Sequence, residues 1–371
     1  MTVTASPEAD LDAQIGAYAT RLFETGLATL EAFTISLGRE LHLYDHLAAE
    51  DGLTAGELAQ QAGIDARYAR EWLEQQASAG YIDVTAPSEQ ANTRRYGLSP
   101  AAQECLLRPE SLASIGPLFD LLPAINRVFP ARLAHAFRTG GGIAYADYAL
   151  HDAQGDFNRP AYANLLAGDW LVKIPGLVQR LGIPGARVAE IGCGEGWAAI
   201  SLAQAFPEVR IDGLDNDEAS IAAARKNAMQ AGVGDRVKFE VADVAGELPG
   251  QIVTGSYDLV LAFEMIHDLA RPVEALATMR RLGKPDAVHL VMDESVAEVF
   301  QAATENPVER LMYAASVLHC LPVGRSESPS AATGTVMRPA TLSSYATEAG
   351  FSRVDTPAIE HDMFRFYHLI P

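Results

Sequence analysis

The sequence predicts an α/β fold, in which a doubly wound, mostly parallel sheet follows an α-helical N-terminal domain. Short apolar runs alternate with helical patterns from residue 186 to 292, which is typical of parallel strands covered by helices on both faces. A glycine-rich turn, Gly192, Gly194 and Gly196, follows the first of these runs and precedes a helical pattern. Helical spacing of apolar residues also dominates residues 11–79.

The composition is that of an ordinary globular protein that is long enough for two domains, with 371 residues of which 49% are hydrophobic. The net charge of −20 excludes strong attraction to nucleic acid or to anionic membranes, since both are negative. The three cysteines have no paired spacing, and no apolar run approaches a membrane span. We therefore expect a cytoplasmic protein with neither nucleic acid nor membrane as a partner.

Residues 1–110 resemble a winged helix-turn-helix. Leu11–Leu47 has helical periodicity, and Thr54 with Glu57 fits a capping box at the start of the next helix. A second helix, Ala66–Ala79, precedes two short strands that would form the wing. This region has seven arginines, no lysine and seventeen carboxylates, hence a net charge of −10. That balance favours a dimerisation domain that buries the apolar face of the first helix over DNA binding.

Residues 111–175 are predicted to form a helical linker with proline and glycine interruptions. A flexible run, Gly140–Gly142, precedes Tyr145 and Tyr148. These tyrosines could close over a substrate as part of a lid, or they could pack inside an ordinary interdomain loop. We expect both to contact the substrate.

The third predicted domain, residues 176–371, has acidic residues at successive strand ends. Glu190 precedes the glycine turn, and Asp215 ends the second strand 19 residues after Gly196. An acidic side chain at that distance accepts hydrogen bonds from ribose hydroxyls. Asp243 ends the third strand. Dinucleotide-binding proteins share the 19-residue offset but use G-x-G-x-x-G rather than the G-x-G-x-G of this chain.

The segment from Glu190 to Gly196 resembles motif I of class I S-adenosylmethionine (SAM) methyltransferases. The resemblance implies a Rossmann-like, doubly wound, seven-stranded sheet that ends in an antiparallel edge pair, Ser352–Thr356 and Met363–Leu369. It implies a homodimer that methylates a small molecule. It also implies that Asp243 accepts the adenine amino group, within a SAM site formed by Glu190, Gly192, Gly194, Gly196, Asp215, Asp243, Val244 and Phe263.

His267 and Asp268 follow the fourth predicted strand, Ser256–Phe263. In plant-type O-methyltransferases, which this region resembles, a His-Asp pair here deprotonates the acceptor hydroxyl. Imidazole suits that role because its ordinary pKa lies near neutrality. The alternative is a structural histidine that is hydrogen-bonded to backbone.

His319 lies 52 residues after His267, within a stretch that resembles winged-helix bacterial methyltransferases. Some of these methylate the carbon of α-keto acids with a metal ion. That resemblance implies His267, His319 and Asp268 as ligands of Fe(II) or a similar ion, which would stabilise an enolate. Alternatively, His319 caps the C-terminus of a helix. Arg338 could pair with a substrate carboxylate or form a surface salt bridge.

Two other functions are compatible with a SAM-binding fold. One is a transcription regulator that senses SAM, and the other is a SAM-binding scaffold without catalysis. The acidic N-terminal domain argues against the regulator, and His267 beside the predicted methyl group argues against the scaffold.

Overall fold

The computed structural model describes residues 7–371 and divides into two compact units, one that ends at Pro123 and one from Ala124 to Pro371. The predicted linker, residues 111–175, therefore falls partly in each unit, and its role as a lid stays a prediction. The N-terminal unit contains helices and one two-stranded sheet, namely α1 (Pro7–Glu40), α2 (Leu43–Ala49), α3 (Ala55–Ala62), α4 (Ala66–Ser78), β1 (Asp83–Ala86), β2 (Arg95–Gly97), α5 (Pro100–Leu107) and the start of α6 (Pro117–Val128).

The N-terminal unit has the predicted winged-helix organisation. Thr54 and Glu57 form the expected capping box at the start of α3, and β1 pairs antiparallel with β2 as the wing. The predicted helical pattern over Leu11–Leu47 is present but interrupted, because α1 ends at Glu40 and α2 begins at Leu43. His42 between them has a φ of 55°, which an α-helix cannot accommodate.

Helix α1 exposes large apolar side chains over most of its length. Phe23 is 71% exposed and Leu30 is 68% exposed, and other large apolar side chains of α1 are exposed as well, namely Leu11, Ile15, Tyr18, Leu22 and Leu27. Although α1 has 34 residues, neither it nor any other helix within residues 7–371 is both long and apolar enough to cross a membrane.

The second unit is built on a seven-stranded sheet in the order β5-β4-β3-β6-β7-β9-β8. Its elements are α7 (Ala131–Thr139), α8 (His151–Ala161), a π-helix (Tyr162–Trp170), α9 (Leu177–Leu181), β3 (Arg187–Ile191), α10 (Trp197–Ala205), β4 (Arg210–Asp215), α11 (Glu218–Gln230), β5 (Val237–Val241), β6 (Tyr257–Phe263), α12 (Pro272–Leu282), β7 (Gly283–Glu294), α13 (Pro307–Ala315), a second π-helix (Ser316–Cys320), α14 (Leu321–Gly324), α15 (Pro339–Glu348), β8 (Arg353–Asp355) and β9 (Phe364–Ile370).

The central strands are buried on both faces, as their apolar sequences predict. Along β6, Leu259 and Leu261 belong to one apolar cluster while Val260 and Ala262 belong to the other. Alternate side chains of a strand point to opposite faces, so each cluster covers one face of the sheet. The five neighbouring strands β5, β4, β3, β6 and β7 are parallel. Strands β9 and β8 complete the edge in antiparallel pairing, which confirms the predicted edge pair.

Strand β7 extends beyond residue 292, where the last predicted apolar run ends. It begins at Gly283 and continues to Glu294, and its last residues pair with β9 as far as Phe364. The extension carries Asp293 and Glu294 to the same end of the sheet as the glycine turn.

Candidate functional site

The glycine turn joins β3 to α10 at the centre of the sheet. Gly192, Gly194 and Gly196 have φ values of +66°, +49° and +79°, which L side chains rarely adopt. A Cβ on Gly196 would lie 2.4 Å from the Phe239 ring. A Cβ on Gly192 would lie 2.6 Å from the Met265 side chain, whereas one on Gly194 would meet no atom within 4 Å. Gly194 therefore leaves its backbone open to the space in front of the turn.

That space is a cavity of about 370 Å³ at the carboxyl ends of the strands. Connections leave β3 and β6 in opposite directions, and ligands of open α/β sheets bind at this switch point. Gly196 lies behind the cavity lining, packed on Phe239. The other residues predicted to hold the cofactor all line the cavity: Glu190, Gly192, Gly194, Asp215, Asp243, Val244 and Phe263.

Asp215 is fixed at the rim of the cavity by backbone amides. Its Oδ2 accepts a hydrogen bond from Gly194 N–H at 2.9 Å, and its Oδ1 accepts one from Asp217 N–H at 3.0 Å. Asp243 is held differently, by an ion pair with Arg271 at 2.5 Å. Both carboxylates are oriented before a ligand arrives, so a ribose and an adenine amino group could bind without rearrangement.

Two further carboxylates are buried against the glycine turn. Glu190 is 3% exposed and Glu195 is 7% exposed, and each has one carboxylate oxygen without a hydrogen-bond partner in the described part of the chain. Burial raises the pKa of Glu190 to about 8 and that of Glu195 to about 7. A ligand cation beside them would favour their charged forms.

His267 lies under the cavity in contact with three carboxylates. Its Nδ1 is 2.9 Å from Asp293 Oδ1 and 3.2 Å from Glu294 Oε2, and its Nε2 is 3.3 Å from Asp268 Oδ1. Burial alone would lower the pKa of His267, but Asp293, Glu294 and Asp268 outweigh it and raise the pKa well above its ordinary value. The expectation of a pKa near that of free imidazole is therefore wrong, because the sequence does not reveal these neighbours.

His319 lies in the second π-helix and is 7% exposed. Burial lowers its pKa, and its Nε2 has no hydrogen-bond partner among residues 7–371. The alternative that it caps a helix C-terminus is wrong, since the chain continues through Cys320 into α14. A neutral imidazole with a free ring nitrogen can accept a proton or bind a metal.

The two predicted substrate tyrosines have different surroundings. Tyr145 lines the cavity, and its hydroxyl lies 3.3 Å from Gln154 Oε1. Tyr148 is fully buried outside the lining. It donates a hydrogen bond to the Leu318 carbonyl at 2.9 Å and packs edge-on against His319 at 4.7 Å between ring centres. Tyr148 thus supports His319.

Arg338 does not line the cavity. Its guanidinium donates to Tyr313 Oη at 2.9 Å and to the Ala297 carbonyl, and it lies 3.5 Å from the buried Glu309 carboxylate. These partners favour a structural ion pair over contact with a substrate. Glu309, the acidic partner of Arg338, is 29 residues away in the chain, and no sequence motif reveals the pairing.

Four acidic residues near the cavity were not predicted from the sequence: Glu195, Glu264, Asp293 and Glu294. The last two stand directly after the predicted end of the fifth strand, at Met292, so the rule that found Asp215 could have found them. Within residues 7–371, two triplets offer ligand atoms within 4.8 Å of one another, His267–Asp268–Cys320 and His267–Asp293–Glu294. The predicted metal partner His319 belongs to neither triplet.

Comparisons with known proteins match each part of the chain to a family. Residues 184–335 match a family described as a methyltransferase domain, and residues 29–108 match the Rv2258c-like winged helix-turn-helix domain. The ubiquinone biosynthesis O-methyltransferase of Pseudomonas aeruginosa (strain UCBPP-PA14) is 26% identical over 209 residues, which are 55% of this chain and 78% of that protein.

Solved structures share the fold over almost the whole length. Mitomycin 7-O-methyltransferase aligns with a TM-score of 0.68 at 20% identity and covers 97% of this chain and 99% of its own. Human N-acetylserotonin methyltransferase, solved with SAM, aligns with a TM-score of 0.69 at 15% identity over 100% and 99% of the two chains. The two family matches identify residues 184–335 as a methyltransferase domain and residues 29–108 as a winged-helix domain, and the solved structures share the fold of the chain.

Proposed function

We propose that this methyltransferase transfers the methyl group of SAM to a small-molecule acceptor, with His267 as the base that takes the acceptor's proton. The Asp293–His267 pair carries the proposal, because Asp293 on Nδ1 turns Nε2 towards Asp268, which lines the cavity. One structural neighbour from neocarzinostatin biosynthesis was solved with S-adenosylhomocysteine (SAH) and 1,4-dihydroxy-2-naphthoic acid, which supports a small acceptor. The test is turnover of His267→Ala, in which SAM binding should survive.

SAM supplies an electrophilic methyl group on a sulfonium. The residues of this chain would orient it: Asp215 would accept hydrogen bonds from the ribose hydroxyls, and Asp243 one from the adenine amino group. The backbone at Gly194 would allow close approach, and the unpartnered oxygen of Glu190 would face a cationic part of the ligand.

Asp215→Ala should weaken SAM binding by about ten- to a hundredfold, because two hydrogen bonds to a charged acceptor are lost. Calorimetry on the purified variant measures this change directly. Asp235→Ala, which removes an exposed carboxylate from the turn before β5, is the matched control and should bind SAM normally. An unchanged affinity in Asp215→Ala would contradict the ribose assignment.

A metal-assisted reaction is the second candidate, because Nε2 of His319 and Oδ1 of Asp268 are buried without hydrogen-bond partners in the described chain. To share one divalent ion, His319 Nε2 would have to approach His267 Nε2 and Asp268 Oδ1 more closely, because His319 belongs to neither triplet of neighbouring ligand atoms. An ion held there would act as a Lewis acid towards an α-keto acid. Asp293 on the other nitrogen of His267 would then orient the ligand, as carboxylates do behind metal-bound histidines.

The contacts of the winged-helix domain give no support to a DNA-binding regulator. Arg67 on α4 pairs with Glu71, and Arg94 in the wing pairs with Glu74. Cations that are already neutralised by carboxylates contribute little to phosphate binding.

We further propose a homodimer formed through the apolar face of α1, which includes Phe23 and Leu30. Phe23→Asp combined with Leu30→Asp should convert the dimer to a monomer in sedimentation experiments, because buried carboxylates would face an apolar partner. Gln14→Asp adds a charge to the same helix at a polar, exposed position and should leave the dimer intact. Wild-type protein that sediments as a monomer at micromolar concentration would refute the homodimer.

A further inference from the structure

All charged side chains that line the cavity are acidic. Eight carboxylates line it, and within residues 7–371 no lysine, arginine or histidine does. This composition restricts which ligands the cavity can hold, because like charges at close range in a poorly hydrated site repel strongly.

The carboxylates near the glycine turn have defined roles. Asp215 accepts backbone hydrogen bonds, and Asp217 caps α11 by accepting one from Ser220 N–H at 2.7 Å. Asp243 is neutralised by Arg271. Asp215 and Asp243 are the two strand-end residues proposed to bind the nucleoside, and Asp217 serves as a helix cap.

Two of the others are more than nine-tenths buried and aimed into the cavity without a full set of partners. They are Glu190 and Glu195, whose free oxygens were described above. Glu264 also lines the cavity and has an unpartnered oxygen. Burial raises the pKa of Glu264 to about 8, with Asp293 adding to the effect and His267 opposing it. Unpartnered carboxylates of this kind indicate a site that is completed by positive charge.

SAM alone does not supply enough positive charge. Its sulfonium and ammonium are partly offset by its own carboxylate, so its net charge is +1. The contact with His267 beneath the cavity offsets the negative charge of Asp268. The cavity therefore remains acidic with SAM bound. Glu264 directly follows Phe263 of the proposed cofactor site, whereas Glu327 comes from a separate segment after α14.

We propose that the methyl acceptor carries a protonated amino group, which is recognised by the carboxylates of Glu264 and Glu327 at the acceptor side of the cavity. This proposal rests on the proposed methyl transfer to a small molecule and specifies its substrate class. The ammonium group serves recognition, while a separate neutral hydroxyl or amine of the acceptor is the nucleophile. An acceptor carboxylate would meet acidic side chains without a cationic one.

The test compares three phenols that share a ring and differ in the charge of the side chain: tyramine, 4-ethylphenol and 3-(4-hydroxyphenyl)propionate. Each is titrated into SAH-loaded, full-length protein in a calorimeter. Tyramine should bind about tenfold or more tightly than the propionate, as expected for a charge-assisted hydrogen bond. Added salt should reduce the difference in affinity between tyramine and the propionate, because it screens the charges.

Glu327→Gln removes one exposed carboxylate and should reduce the preference for tyramine without affecting SAH binding. Glu305→Gln, an exposed position outside the cavity, should keep the full preference. Equal or tighter binding of the propionate, a tyramine affinity no better than that of 4-ethylphenol, or no tyramine binding at millimolar concentration would overturn the proposal. Failure of SAH itself to bind would instead count against the proposed cofactor site, so the two failures are distinguishable.

Discussion

Replacing His267 by Ala is expected to lower kcat by about 10²–10⁴-fold, the usual contribution of a positioned general base, while leaving SAM affinity unchanged. The reason is that Asp293 holds Nδ1, while Nε2 faces Asp268 at the cavity, where it would take the acceptor's proton. The measurement is SAH formation at saturating SAM, with SAM binding followed separately. A variant that retains wild-type turnover would exclude His267 as base and as metal ligand.

His319→Ala separates the two mechanisms. If His267 acts as a metal-free base, His319→Ala should retain much of the activity and chelators should have no effect. If both histidines bind a metal, each single variant should lose most bound metal and most activity, and chelation followed by Fe(II) should remove and restore turnover. Full activity after exhaustive chelation would rule out the metal.

The pH profile adds a readout for the base mechanism. Asp293, Glu294 and Asp268 raise the pKa of His267, so its imidazole becomes a base at a higher pH than free imidazole does. The turnover number should therefore increase with pH through an inflection above about 6.5. Asp293→Asn removes one of the charges that stabilise the imidazolium and should shift the inflection to lower pH.

Gly194→Val is expected to abolish SAM binding while the protein still folds. An added side chain at Gly194 would project into the cavity, where no protein atom lies within 4 Å of its Cβ, and would occupy the space needed by the cofactor. The substitution also strains the backbone, since φ is +49°. Calorimetry with SAM measures binding, and thermal unfolding measures the cost to stability.

Gly232→Val is the matched control. Gly232 has a φ of +70° and likewise has open space around its Cβ, but it does not line the cavity. The Gly232→Val protein should therefore lose stability from the same kind of backbone strain and keep its affinity for SAM. Equal loss of binding in both variants would show that strain, not blocked approach, is responsible.

The sequence predicts the parts of this molecule that local chemistry determines. The buried strands, the capping box of Thr54 and Glu57, and the positions of Asp215 and Asp243 follow from periodicity and spacing. Features that depend on distant residues could not be predicted. Tyr148 packs on His319 more than 150 residues away, and His42 breaks the first helix through a backbone conformation that propensities do not indicate.

The surroundings of His267 show the same limit. Asp293 and Glu294 reach it only because β7 extends two residues beyond Met292 and pairs with β9, which is near the end of the chain. Sequence spacing locates His267 after β6, but the electrostatics of the ring depend on this neighbouring strand.

Glu264 is a position at which the stability of the fold and the proposed binding of the acceptor have opposite requirements. Its φ of 51° suits glycine or asparagine better than glutamate, at a cost of about 1–3 kcal/mol, and its carboxylate is also enclosed by other acids. Selection for heat resistance alone would therefore favour Glu264→Gly, which relieves both penalties. Thermostabilised libraries screened without an activity assay should accumulate this change and lose acceptor binding, so position 264 trades stability against activity.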